Sequence, residues 1–204
     1  KKLSALADYF VLDAFGTMHR AHASTYGVSQ YLQSAAGLLV EKELKIIGGA
    51  IEHPQKPFVA ILGGSKVTDK AAVIENLLPK VDYLLIGGAM MFSFYKAQGK
   101  QVGKSKVEGE GIELAKHFLN NSKIILPTDT VVATEFSGEA ASQVVDADHI
   151  PQDMMGLDIG PKTIALFESI LKNAKTVIWG GPMGVFEFEK FAHGTKELAR
   201  ALSE

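Results

Sequence analysis

Phe58-Val59-Ala60-Ile61-Leu62-Gly63-Gly64-Ser65-Lys66-Val67-Thr68-Asp69-Lys70 decides the fold. Its five leading apolar residues make a strand that is apolar on both faces, and such a strand belongs inside a parallel sheet covered from both sides. Gly63-Gly64 ends the strand, and a helix is expected from about Lys66 to Leu78. The device recurs twice. Tyr83-Leu84-Leu85-Ile86 runs into Gly87-Gly88 and an apolar helix through Ala97, and Thr176-Val177-Ile178-Trp179 runs into Gly180-Gly181-Pro182. Working outward, Tyr9–Leu12 and Lys123–Leu126 read as further strands, the latter stopped by Pro127. Thr130–Thr134 and Ala141–Val145 alternate around Ser137-Gly138, which predicts a β-hairpin. Helices are expected over Ile112–Leu119, Thr163–Leu171 and about Gly194–Leu202. A helical period also runs from Gln33 to Glu52 through Leu38, Leu39, Leu44 and Ile47. Gly48-Gly49 weakens its last turns by about 1 kcal/mol each relative to Ala, and His53-Pro54 stops it. That helix is the candidate bridge between two domains. The class is α/β: an open, doubly wound parallel sheet with helices on both faces and a β-hairpin excursion.

Composition narrows the function. The 204 residues suffice for one large domain, or one domain and part of another. A net charge of -2 points away from a nucleic-acid binder or a polybasic membrane surface. Cations that hold phosphate must then be placed locally. The absence of cysteine excludes disulfides, thiol catalysis and cysteine metal sites. No apolar run reaches the roughly 18 residues of a membrane span. Lys1-Lys2-Leu3-Ser4-Ala5-Leu6 opens like a signal peptide, but Asp8 and Asp13 interrupt it, so a cytoplasmic protein is expected. Both ends, Lys1 onward and Ala201-Leu202-Ser203-Glu204, read as helical and as cut from something longer.

In an open parallel sheet, ligands bind beyond the carboxyl ends of the strands. Glycines there allow close backbone approach, and the following helix starts offer N–H groups to anions. Each Gly-Gly pair alone could be a tight turn; three at equivalent places favour a shared ligand rim. Lys66 and Lys70, four apart at the predicted helix start, would share a face. Two cations there conflict with the helix dipole unless polyphosphate is bound; the alternative is a solvated surface pair. No GxGxxG follows a strand, which counts against a dinucleotide site. Gly99-Lys100-Gln101-Val102-Gly103-Lys104-Ser105 imitates a P-loop but is one residue short and follows a helix. It reads as an exposed basic loop.

Four stretches carry a resemblance. They are Asp13-Ala14-Phe15-Gly16-Thr17-Met18-His19-Arg20-Ala21-His22, Val59 to Lys70, Gly156-Leu157-Asp158-Ile159-Gly160-Pro161, and Gly181-Pro182-Met183-Gly184-Val185-Phe186-Glu187. In order and spacing they resemble the phosphoglycerate kinases across essentially the whole chain. The resemblance implies a glycolytic phosphotransferase that moves a phosphoryl group reversibly between ATP and 3-phosphoglycerate. It implies two α/β domains joined by a long helix, with Mg-nucleotide bound by the second. Residues 1–32 would be a remnant of the 3-phosphoglycerate domain, 33–53 the connecting helix and 54–204 the nucleotide domain, C-terminally incomplete. Arg20 would contact 3-phosphoglycerate, with His19 and His22 supporting. Lys66 would hold the transferring phosphoryl group and Lys70 the nucleotide phosphates. Gly63, Gly64, Gly87, Gly88, Gly156 and Leu157 would wall the adenine slot. Pro182, Gly184 and Val185 would shape the same pocket, and Glu187 would accept from the ribose hydroxyls. Read without its context, Glu187 is an ordinary surface carboxylate. Partners would be ATP or ADP with Mg2+ and 3-phosphoglycerate, with no nucleic acid and no membrane, and the parent would be a cytoplasmic monomer.

The chain also departs from that pattern. Gly180 stands where the family carries Asn, Lys106 replaces an apolar residue near the base pocket, and the connecting helix holds two glycines, Gly48 and Gly49. No protein metal ligand is expected among these residues, because the Mg-anchoring Asp belongs to a segment outside this chain. The 204-residue piece is therefore expected to be inactive or nearly so, with exposed apolar surface. A nucleotide-binding module without catalysis is the alternative. A purely structural protein is disfavoured by the intact Lys66, Lys70 and Glu187.

Overall fold

The computed structural model describes residues 1–203. The chain divides into two compact units, Lys1–Pro54 and Gln55–Glu204. In the first, the opening residues form a single 3-10 turn, Leu3–Leu6. Strand β1 (Tyr9–Leu12) then pairs in parallel with β2 (Gln33–Ala36), Tyr9 facing Gln33. The helix expected from Gln33 therefore starts later. Gln33-Ser34-Ala35-Ala36 holds no large apolar residue, so the helical period came from Leu38 onward and pairing with β1 takes the earlier residues. Helix α1 (Leu38–Glu43) continues through a π-helical stretch, Leu44–Gly48, into α2 (Gly49–Glu52). The wide turns end on the first of the two glycines, where helical preference is weakest. The Val40 N–H donates to Asp13 Oδ1 at 3.0 Å, capping the helix from the loop after β1.

The second unit contains β3 (Phe58–Leu62), β4 (Tyr83–Ile86), β5 (Ile124–Ile125), β6 (Asp129–Ala133), β7 (Ser142–Asp146), β8 (Met155–Ile159) and β9 (Thr176–Gly180). Its helices are α3 (Ala71–Leu77), α4 (Met91–Ala97), α5 (Gly109–Phe118), α6 (Pro161–Leu171) and α7 (His193–Ala201). Four strands form a parallel sheet, in the order β5-β4-β3-β9, flanked by helices. All five residues of β3 are buried, as its unbroken apolar run requires. The predicted hairpin exists as β6 and β7, but β6 also pairs antiparallel with β8, giving a second sheet ordered β7-β6-β8. Strand β8 escaped the periodicity because Gly156 and Asp158 are poor strand formers; here its polar residues are buried.

Two local expectations change. The helix predicted from Lys66 begins at Ala71. Lys66 lies in the preceding loop and Lys70 closes a 3-10 turn, Thr68–Lys70, so the two do not share a helical face. Val67 causes this: it is fully buried, and its carbonyl accepts the Lys70 N–H at 2.9 Å, holding the tight turn. The Gly99–Ser105 segment is not simply an exposed loop. Val102 and Ser105 are buried, and Ser105 Oγ accepts the Gly156 N–H at 2.9 Å, which pins the segment to β8.

Candidate functional site

The three strand–glycine ends converge into one backbone assembly. The Gly63 N–H donates to Gly180 O at 3.0 Å, the Gly64 N–H to Pro182 O at 3.1 Å, and the Gly88 N–H to Met183 O at 2.9 Å. Gly64, Gly88 and Gly181 all have positive φ, +107°, +65° and +93°. That region is cheap for glycine and strained for other residues. The glycines then divide by role. A Cβ on Gly63 would strike Pro182 O, and one on Gly87 would strike Met183 Sδ. Neither borders the cavity; both make room for the Pro182-Met183 turn. Gly64 faces open space.

Beside this rim lies a cavity of about 330 Å³, at the small end of the range for ligand sites. Of the residues singled out from sequence, Gly64, Gly88, Gly156, Leu157, Pro182, Gly184, Val185 and Glu187 border it. The β-bulge between Val131 and Val132 presents Gly156 and Leu157, and Leu157 O accepts the Val185 N–H at 2.8 Å. Such bulges re-aim backbone beside sites. Gly156 is required on its other side too, because a Cβ there would strike the Phe92 ring.

Lys66 and Lys70 sit on the loop leaving β3. Lys66 Nζ lies 3.3 Å from Glu108 Oε1. The position a Cβ would take on Gly180 is 3.9 Å from Lys70 Nζ, so the side chain missing at 180 leaves space beside that ammonium. Arg20 belongs to the first unit, where its Nε donates to His19 Nε2 at 3.3 Å.

Sequence reading missed several cavity residues. Met91 and Phe92 come from α4, Phe136 from the β6–β7 loop, and Lys104 from the Gly99–Ser105 segment. The apolar helix after Gly87-Gly88 was the one available signal for the first two. Asp158, within the Gly156–Pro161 motif, is a further cavity residue. It is buried, borders the cavity, and accepts the Ile159 N–H at 2.9 Å and the Gly194 N–H at 2.8 Å. Burial pushes its carboxyl up to about 7, against the opposing pull of those two N–H groups. Among the described residues, no group of three or more His, Asp or Glu stands ready to hold a metal ion. No described helix is long and apolar enough to cross a membrane.

The family profile described as phosphoglycerate kinase matches residues 1–204. The chain belongs to the phosphoglycerate kinase family. It is 57% identical to the phosphoglycerate kinase of Thermosynechococcus vestitus, a match covering 100% of this chain and 52% of the relative. Identity and both coverages are the same for the cytosolic phosphoglycerate kinase of Nicotiana tabacum. The solved phosphoglycerate kinase of Coxiella burnetii superposes with a TM-score of 0.85 at 43% identity, covering 99% of this chain and 54% of that one. For the enzyme of Pyrococcus horikoshii the TM-score is 0.83 at 33% identity, covering 100% and 53%. The chain thus spans about half the length of the phosphoglycerate kinases it matches. The signature glycines of the family resolve here into two kinds: Gly63 and Gly87, which admit Met183, and Gly64, Gly88, Gly156 and Gly184, which border the cavity.

Proposed function

We propose that this chain carries the nucleotide-binding part of a glycolytic kinase that transfers a phosphoryl group reversibly between ATP and 3-phosphoglycerate. The observation that carries the reading is the stitched glycine rim beside the cavity, with Lys66 and Lys70 on the adjoining loop, in a chain of this family. The base and ribose would occupy the cavity, with Glu187 accepting from ribose hydroxyls and Leu157 and Val185 against the base. Gly64 and Gly88 would let the backbone approach closely. Lys70 would neutralise the nucleotide phosphates. Lys66 would stabilise charge on the transferring group, where phosphoryl transfer needs it most. Arg20 would contact 3-phosphoglycerate through its guanidinium fork. Positioning and charge neutralisation supply the catalysis, with no covalent intermediate required.

Magnesium enters with the nucleotide as part of the substrate. The assignment of residues 1–32, 33–53 and 54–204 to acceptor domain, connecting helix and nucleotide domain belongs to the same proposal. So do a cytoplasmic location, which the tobacco relative's name supports, a monomeric parent, and the absence of nucleic-acid partners. Expressed alone, the 204-residue span is proposed to bind nucleotide without turnover.

ADP titration by calorimetry tests the reading. Binding is expected, and Lys70→Ala is expected to weaken it by roughly tenfold, the loss of one charge-assisted phosphate contact. No binding, or binding indifferent to Lys70→Ala, removes the assignment. A coupled assay that finds robust turnover on the same span removes the proposal that it binds without catalysis.

A further inference from the structure

Four lysines surround the site: Lys104 and Lys106 border the cavity, and Lys66 and Lys70 lie on the loop after β3. Among the described residues, only Lys66 of these four is in an ion pair. Its partner, Glu108, is held at the carboxylate by Thr68 and at the backbone by α5. Glu108 Oε2 accepts from Thr68 Oγ1 at 3.0 Å, and Glu108 O accepts the Ile112 N–H at 3.1 Å at the start of α5. The Glu108 side chain is 22% exposed and that of Lys66 is 44% exposed. The carboxylate is therefore the fixed member of the pair and the ammonium the free one. Nothing in the proposed chemistry uses Glu108.

We propose that Glu108 is the resting counter-ion of Lys66 and sets the preference of this site between nucleotides that carry the transferring phosphoryl group and those that lack it. This rests on the reading that Lys66 holds that group. Before binding, Lys66 Nζ is aimed along the loop by Glu108. When a nucleoside triphosphate binds, its terminal phosphoryl oxygens, with more charge than one carboxylate, take the ammonium over. Thr68 continues to hold the vacated carboxylate in place. The exchange costs triphosphate binding the worth of the ion pair, whereas a diphosphate, which does not reach Lys66, leaves the pair intact. Glu108 is thus a positioning residue that narrows the affinity gap between the two nucleotides. The same pairing lowers the barrier to releasing the product triphosphate, because Lys66 has an alternative partner 3.3 Å away.

Calorimetric titration of the 204-residue chain with ATP and with ADP, at constant excess Mg2+, tests this in Glu108→Gln, Lys66→Met and the double variant. Glutamine keeps an acceptor for Thr68 and removes the charge. ATP is expected to bind about two- to fivefold tighter to Glu108→Gln, the usual worth of a half-exposed pair, with ADP unchanged. That gain should vanish in the Lys66→Met background, and Glu108→Asp should restore the parent ratio of ATP to ADP affinity. A Glu108→Gln effect that is equal for both nucleotides, absent, or retained without Lys66 overturns the proposal while leaving the role of Lys66 standing. ATP affinity that is indifferent to Lys66→Met removes both.

Discussion

Single atoms decide what each glycine of the rim can tolerate. Gly63 and Gly64 are neighbours with opposite constraints: a Cβ on Gly63 would meet Pro182 O, while one on Gly64 would meet nothing but would require φ near +107°. Gly63→Ala should therefore destabilise the second unit by several kcal/mol, because backbone has nowhere to retreat. Gly64→Ala should cost only about 1–3 kcal/mol of strain yet weaken ADP binding, since that strain falls on backbone that borders the cavity. Urea unfolding and ADP titration of the two variants separate these outcomes. Asp158 makes a prediction about pH. Its carboxyl ordinarily titrates near 3.8, and burial raises it to about 7 in the folded protein. Between those values the folded state holds the extra proton, so this group's contribution to stability falls as pH rises through that window and is flat above it. Asp158→Asn should remove a pH dependence worth about 3 kcal/mol between pH 4.5 and pH 8, read as the difference between the two proteins' unfolding free energies at those two values. A difference that does not change with pH would place the carboxyl at its ordinary value.

At the scale of elements, side chains from one segment complete another. Asp129, at the start of β6, is fully buried and serves the N-terminus of α6. It accepts the Lys162 N–H at 2.9 Å, the Thr163 N–H at 2.8 Å and the Thr163 hydroxyl at 2.6 Å. Gly160 has no side chain for the same reason: a Cβ there would strike the Asp129 carboxylate. The first orphan donors of a helix are thus satisfied by a carboxylate that also favours the positive dipole end. Asp129→Ala would leave the Lys162 and Thr163 N–H groups without an acceptor, at roughly 1–3 kcal/mol each, while the Thr163 hydroxyl keeps the backbone carbonyl of residue 129 at 3.1 Å. An unfolding free energy lower by at least about 2 kcal/mol is expected in guanidinium titration. A change under about 1 kcal/mol would mean that water replaces the carboxylate. The helix signals around α6 were legible, since Gly160-Pro161 marks its start. Its capping residue was not, because it lies more than thirty residues earlier on another strand. The misplaced starts of the helices near Gln33 and Lys66 share that origin: pairing with β1 and burial of Val67 are contacts that local periodicity does not contain.

For the whole molecule, burial is uneven between the two units. In Lys1–Pro54, Thr25, Val28, Gly37 and Val40 are the buried residues, and Leu6, Tyr9, Val11 and Leu38 are each more than 60% exposed. The second unit buries an apolar core centred on β3 and β4, including Phe58, Ile61, Leu84 and Leu85. Two-state unfolding of the chain is not expected. Native-state hydrogen exchange should show amides of residues 9–12 and 33–36 exchanging far faster than those of 58–62 and 83–86. Saturating ADP should slow exchange in the second unit alone, in step with RT ln(1 + [L]/Kd). Uniform protection across both units would contradict the burial pattern, and protection by ADP confined to the first unit would move the nucleotide site.

The parallel strands β3, β4 and β9, the β6–β7 hairpin and the glycine-ended rim were determined by the sequence itself, because burial on two faces and tight turns leave local marks in residue type and period. The family was legible too, since four motifs occur in order along the chain. Tertiary structure alone decided which of the paired glycines borders the cavity and which makes room for Met183. It also decided that β8 joins β6, that Asp158 is buried at the cavity wall, and that Glu108 holds Lys66. Each of these depends on contacts between segments far apart in the chain, and neither period nor composition encodes a distance between such segments.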